Sequence, residues 1–219
     1  MSIAVFGATG NIGSKIKDEA LRRGIRVTAV VTDYSRLAPQ SNLTIVEGDI
    51  YEPEDVAKIA SGHDAVVSAF SPGLTRIPLD EAPGLIARAH RSLFAGVRRA
   101  GVRLIVVGGV GSLKSPEGVD VVDSAKYAEL GDDHLGHTRK NREILRGLIA
   151  DGNDFEWTYV SPPYNIVPGE RTGKFRLGTD QLLQDETGDS RISQEDFAVA
   201  IIDELTNRDF VRRRFTVAY

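Results

Sequence analysis

Three glycines spaced as Gly7-Ala8-Thr9-Gly10-Asn11-Ile12-Gly13 follow the apolar run at residues 3–6 and open an amphipathic segment. That spacing suits a strand-to-helix turn that receives a diphosphate. Gly7 permits the tight turn, Gly10 lets the backbone approach the anion, and Gly13 lets helix and strand pack closely. The helix start adds unpaired N–H groups and partial positive charge. The expected ligand is a nicotinamide dinucleotide, NAD or NADP, with its pyrophosphate on Gly7, Thr9, Gly10, Asn11, Ile12 and Gly13.

The end of the second β-branched run reads Thr32-Asp33-Tyr34-Ser35-Arg36. Asp33 would accept from a ribose 2′-hydroxyl and favour NAD, whereas Thr32, Ser35 and Arg36 suit a 2′-phosphate. Asp33 is equally a good helix N-cap, and the balance tips slightly to NADP(H). Asp49 and Ile50 follow the third strand, where an adenine ring would lie. Ala69, Phe70, Ser71, Pro72 and Gly73 mark where the chain leaves the fourth strand beside the coenzyme.

A Tyr-x-x-x-Lys pair, in which lysine lowers a tyrosine pKa for proton transfer, is missing. Gly136 stands four residues before Lys140, and Lys126 precedes Tyr127 in a different register. Lys140 shares a helical stripe with Ile144 and Leu148, so it needs a partner or a route to solvent. Tyr164, Phe70 and Pro162-Pro163 offer a platform for a planar acceptor, or core filler. His134 and His137 lack a third ligand nearby, so no metal site is expected. Arg212-Arg213-Arg214 reads as a solvated edge.

These residues need a scaffold, and the alternation of β-branched runs with helical patterns supplies one. Strands are expected at residues 3–6, 26–31, 44–47, 65–68, 104–107 and 158–160. Ile12, Ile16 and Ala20 recur on one helical face before Gly24, a second helix runs from about Pro83 to Gly101, and a third carries Ile144, Leu145, Leu148 and Ile149. The fold class is α/β, a Rossmann-type doubly wound parallel sheet in one domain, with a core over residues 1–160 and a small substrate-side cap over 161–219. Within that cap residues 174–177 and 181–184 are expected to pair, Ser193 and Asp196 to start a helix, and residues 215–217 to form a last strand.

Composition narrows the function. With 27 Lys and Arg against 31 Asp and Glu, the net charge of −4 offers no field for nucleic acid. The absence of cysteine excludes disulfides and thiolate chemistry. No run approaches the length of a membrane span, and the expected location is cytoplasmic, as a monomer or homodimer.

The sequence resembles the NmrA-like, NAD(P)H-binding branch of the atypical short-chain dehydrogenases/reductases, and within it the NADH-flavin reductases, which are related to biliverdin reductase B. The resemblance rests on the glycine turn, on Gly62-His63-Asp64-Ala65-Val66-Val67-Ser68-Ala69-Phe70, on Val106-Val107-Gly108-Gly109-Val110-Gly111-Ser112-Leu113, and on the tail from Pro168 to Gly178 and from Arg214 to Tyr219. It implies hydride transfer from NAD(P)H to a flavin (FMN or FAD), quinone or similar small planar acceptor. It also implies an active-site serine at Ser112, a lysine bridging the nicotinamide ribose at Lys140, and coenzyme contacts at Gly108, Gly109 and Pro162. The relatives usually carry an arginine where this chain has Thr32. Direct hydride transfer asks the protein mainly for stacking and orientation, which suits the sparse acid–base inventory. The alternative is an NmrA-like regulator that senses the coenzyme for a protein partner, and a sugar-nucleotide epimerase or dehydratase is disfavoured by the missing tyrosine base.

Overall fold

A computed structural model describes residues 1–73, 77–128 and 132–219, the side chains of 132–134 excepted. The chain runs β1 (Ser2–Phe6), α1 (Asn11–Arg22), β2 (Arg26–Val31), β3 (Leu43–Glu47), α2 (Pro53–Ala60), β4 (Ala65–Ser68), α3 (Ala82–Ala100) and β5 (Arg103–Val107). It continues with α4 (Ala125–Ala128), α5 (Asp132–Asp151), β6 (Trp157–Ser161), β7 (Asn165–Val167), β8 (Arg176–Gly178), β9 (Arg191–Ser193), α6 (Gln194–Asn207) and β10 (Arg213–Ala218). Eight strands form one sheet in the order β3-β2-β1-β4-β5-β6-β10-β8, parallel except where β10 meets β8. This is the doubly wound arrangement, and its strand reversal lies between β1 and β4.

The central strands are covered on both faces, which is why they read as unbroken apolar runs. Ile3 and Val5 of β1 pack with Ile16 and Ala20 of α1 and with Phe197 and Ile201 of α6. Their neighbours Ala4 and Phe6 point the other way, to Val56 of α2, Leu93 of α3 and Leu145 of α5. Each face thus buries alternate residues of the same strand. Helix α3 ends at Gly101 in the left-handed conformation, φ +65°.

The segment after residue 160 divides between two roles. Strand β10 lies inside the main sheet and α6 lies beside α1, so both are integral layers, whereas β7 and β9 form a separate two-stranded sheet. The Ser193 hydroxyl accepts the Asp196 N–H at 2.9 Å and starts α6 as expected. The expected pairing of residues 174–177 with 181–184 does not form. Arg176–Gly178 pairs with β10 instead, and Gln181 makes an isolated bridge to Lys114. The exposed edge of β10 offers ladder partners that a short local hairpin cannot match.

Two carboxylates anchor the tail motif. Glu19 of α1 accepts from Arg22, Arg23 and Arg171, and Asp196 of α6 accepts from the Thr172 and Gly173 N–H groups and the Tyr219 hydroxyl. The 170–173 turn therefore serves to fasten the tail onto α1 and α6. Among the described residues, no helix is long and apolar enough to cross a membrane.

Candidate functional site

The glycine turn sits where β1 and β4 diverge. Gly7 has φ +79°, and a Cβ there would stand 2.6 Å from the Ala69 carbonyl oxygen at the end of β4. A Cβ on Gly13 would collide with the Gly7 carbonyl, so α1 approaches β1 more closely than any side chain allows. Gly10 caps α1 with no side-chain hydrogen bond, and Gly10 and Asn11 are exposed. An open, uncapped helix start behind a turn that excludes side chains is a fitting cradle for a diphosphate.

Two cavities flank this turn, and Phe70, Ser71 and Pro72 line both. The first, about 310 Å³, is walled by Gly7, Thr9, Thr32, Arg36, Asp49, Ile50, Tyr51 and Gly73. The second, about 390 Å³, is walled by Ile12, Ala69, Gly108, Gly109, Pro162 and residues of α3, α4, α5 and β7. The two cavities form one trough at the carboxyl edge of the sheet; Gly10, Asn11 and Gly13 of the turn, Asp33 and Lys140 line neither of them.

Asp33 is the exception on the first side. Its carboxylate accepts from the Ser35 N–H at 2.9 Å and the Ser35 hydroxyl at 2.7 Å, capping the short turn Tyr34–Arg36. Those bonds from Ser35 hold its carboxyl below the usual range. Thr32 and Arg36, not Asp33, line the cavity. Tyr51 closes the wall, edge-on to Phe70 at 5.8 Å and beneath the Arg88 guanidinium.

On the second side, β6 positions α5 through Tyr159. This side chain is fully buried, accepts from the Gly109 N–H at 3.3 Å and donates to the Asn141 carbonyl at 2.9 Å. Its ring fills the space that a Cβ on Gly108 would need. Helix α5 then presents His137, Thr138 and Asn141 to the cavity.

Lys140 does not take the place expected of it: it pairs with Glu143 on the outer side of the helix and lines neither cavity. The buried positions of α5 are Leu135, Thr138, Leu145 and Leu148, with Ile144 packed against the same core and Ile149 exposed, so Ile144 and Leu148 of the expected stripe turn inward and Lys140 does not. Ser112 is also withdrawn. Its hydroxyl lies 3.2 Å from that of Ser161 and its carbonyl accepts from Arg214 at 2.5 Å. Arg214 is itself buried and paired with Asp180, which corrects the reading of residues 212–214 as a wholly solvated run.

Tyr127 and Tyr164 form the far wall, their rings stacked 6.0 Å apart with planes inclined by 25°. The Lys126 ammonium sits 3.9 Å from the Tyr164 ring centroid. Burial pushes the Tyr127 phenol up to about 12, and burial with the negative charge of Glu117 raises that of Tyr164. Both phenols stay protonated at neutral pH, with no lysine-activated tyrosinate between them. Among the described residues, no three His, Cys, Asp or Glu side chains gather in a metal-binding group. His134 lies outside the described side chains, and His137 belongs to the cavity wall.

Sequence reasoning missed His137 as a wall residue, together with Thr138, Asn141 and Tyr127. The available signal was the 3.6-residue period of α5 counted back from Leu148 and Leu145.

The same architecture recurs in known proteins. Bacillus subtilis YwnB, an uncharacterized protein, is 36% identical, with 99% of this chain and 98% of YwnB covered. A solved Bacteroides thetaiotaomicron structure, provisionally named an epimerase, is 35% identical at a TM-score of 0.88, covering 100% of this chain and 96% of its own. A Streptococcus pneumoniae structure, provisionally named an NADH-flavin reductase, is 28% identical at a TM-score of 0.84, covering 100% and 99%. Residues 7–208 match the NAD(P)H-binding family model, and the chain belongs to that NAD(P)H-binding family.

Proposed function

We propose that this chain is an NAD(P)H-dependent reductase of a planar acceptor such as a flavin or a quinone. The observation that carries the reading is the trough itself. A diphosphate cradle lies between a cavity suited to adenosine and a second cavity walled by aromatic rings and prolines, with Thr138 and Asn141 of α5 among its polar groups.

Gly7, Gly10, Asn11 and Gly13 hold the diphosphate through backbone groups, and Asp49, Ile50 and Tyr51 flank the adenine. Thr32 and Arg36 face the 2′ position while the Asp33 carboxylate is engaged by Ser35, an arrangement that favours NADPH over NADH. The bound nicotinamide supplies the hydride. Asn141, Thr138 and Gly109 orient it, and Tyr127, Tyr164, Pro162 and Phe70 keep water from the acceptor. With both tyrosines protonated and no lysine poised to activate them, an acceptor ring that takes hydride without an enzymatic acid suits this site best.

The test follows NADPH and NADH absorbance in the presence of FMN and a quinone. Turnover with NADPH preferred supports the reading. Tight coenzyme binding with no reduction of any planar acceptor overturns it in favour of a coenzyme sensor.

A further inference from the structure

Asn141 is held in one orientation within α5. Its backbone carbonyl accepts from the Tyr159 hydroxyl at 2.9 Å, and its side-chain amide nitrogen donates to the His137 carbonyl, one turn earlier, at 3.0 Å. The side chain packs over Gly109, where an added Cβ would stand 3.4 Å from the Asn141 Cβ and 3.7 Å from its Cγ. The amide cannot turn over without setting its oxygen against the His137 carbonyl oxygen. Among the described residues no donor reaches the Asn141 Oδ1, and the half-buried side chain lines the second cavity beside Gly108 and Gly109. The side chain thus keeps a fixed acceptor oxygen whose partner must come from outside the chain.

We propose that the Asn141 amide oxygen takes a hydrogen bond from the nicotinamide riboside half of the coenzyme, given by its carboxamide N–H or by a ribose hydroxyl. The proposal rests on the reductase reading, which seats that half in the second cavity, and deepens it. An acceptor locked in place recognises only a donor. Quinone carbonyls have no hydrogen to give, whereas the carboxamide and the ribose keep theirs whether the ring is oxidised or reduced. A neutral amide also adds no positive charge beside a ring that is cationic when oxidised. Lys140, the next residue back along α5, is paired with Glu143 and lines neither cavity, so the amide takes up the contact without it.

Calorimetry with NADP⁺ and with 2′,5′-ADP, a fragment that lacks the nicotinamide half, tests this. Asn141→Leu is expected to weaken NADP⁺ about tenfold, the equivalent of one or two hydrogen bonds, and to leave 2′,5′-ADP unchanged. Asn141→Ala is the second variant, in case leucine crowds Gly109. The 3-acetylpyridine analogue of NADP⁺, which carries a methyl group in place of the carboxamide nitrogen, separates the two donors. If the N–H is the donor, wild type binds the analogue about tenfold more weakly than NADP⁺ and the variants lose nothing further on it. If a ribose hydroxyl is the donor, the variants weaken the analogue as much as NADP⁺. Unchanged NADP⁺ affinity in both variants, or equal weakening of NADP⁺ and 2′,5′-ADP, overturns the proposal, as does a loss confined to FMN binding on NADP⁺-saturated protein, which would assign the oxygen to a flavin N–H. Turnover with NADPH is measured separately. Selective weakening of NADP⁺ without reduction of any acceptor by wild type keeps the Asn141 contact and removes the reductase reading.

Discussion

The Tyr159 hydroxyl bridges the Gly109 N–H and the Asn141 carbonyl, tying the loop after β5 to helix α5 behind the site. Tyr159→Phe removes both bonds inside a fully buried environment and takes from the Gly109 N–H its side-chain acceptor, while the Asn141 carbonyl keeps its place in the α5 ladder. The expected cost is about 2 kcal/mol, read as a lower urea midpoint at unchanged slope. A midpoint equal to wild type would show that the bridge holds nothing.

Gly13→Ala forces a methyl group against the Gly7 carbonyl, which is backbone and cannot swing aside. A loss of about 1–3 kcal/mol of stability is expected from overpacking, together with weakened coenzyme binding because the cradle must open. Fluorescence titration with NADPH checks the second effect independently of the first. Unchanged affinity would remove Gly13 from the cradle.

Under the proposed function, coenzyme preference would rest on Arg36, which lines the adenosine-side cavity, and not on Asp33, whose carboxylate caps its own turn. Arg36→Ala is expected to narrow the NADPH-to-NADH affinity ratio about fivefold at low salt, with the effect fading as salt screens this exposed charge. Asp33→Asn shifts the ratio less. The opposite ranking of the two variants would transfer the selection to Asp33.

Acid stability should depend on Glu19. Its burial favours the neutral form, but hydrogen bonds from Arg171, Arg22 and Arg23 outweigh that and hold the carboxyl well below its ordinary value. A lowered folded-state pKa stabilises the protein above the unfolded value of about 4.3, and the contribution is lost as pH falls from there through the folded value. Glu19→Gln is therefore expected to cost about 2 kcal/mol at pH 7, less than a fully buried pair because the arginines are partly exposed. Denaturant titrations at pH 7 and pH 3 should show the gap between variant and wild type closing in acid; a gap independent of pH refutes the assignment.

Turnover should show no alkaline limb from a tyrosine between pH 7 and 10, since burial raises both Tyr127 and Tyr164. The pH profile of kcat is the measurement, and a limb near pH 9 that disappears in Tyr127→Phe would reveal an activated phenol.

The sheet was legible because strands covered on both faces need nearly continuous β-branched residues, as in Ala65–Ser68, and the glycine turn because its backbone demands leave few alternatives. Helix α2 went unread: eight residues, Pro53–Ala60, give too few periods to stand out. The misplacement of Lys140 has a geometric source. On a helix, neighbouring stripes differ by a single position, and only packing against α3 and the loop around Gly109 decides which one turns inward. Asp33 illustrates a different limit, since capping and ribose recognition ask for the same carboxylate, and only its bonds to Ser35 distinguish the two. Ser112, in the turn after β5, meets Ser161 at the end of β6, 49 residues away, a pairing that no local pattern announces.

Residues 70–72 form a wall common to the two halves of the trough. Because one short span of backbone is shared, its position cannot be set by one occupant without being felt by the other. Thermodynamic linkage makes that influence reciprocal: whatever factor the coenzyme imposes on the affinity of its reaction partner, the partner returns to the coenzyme undiminished.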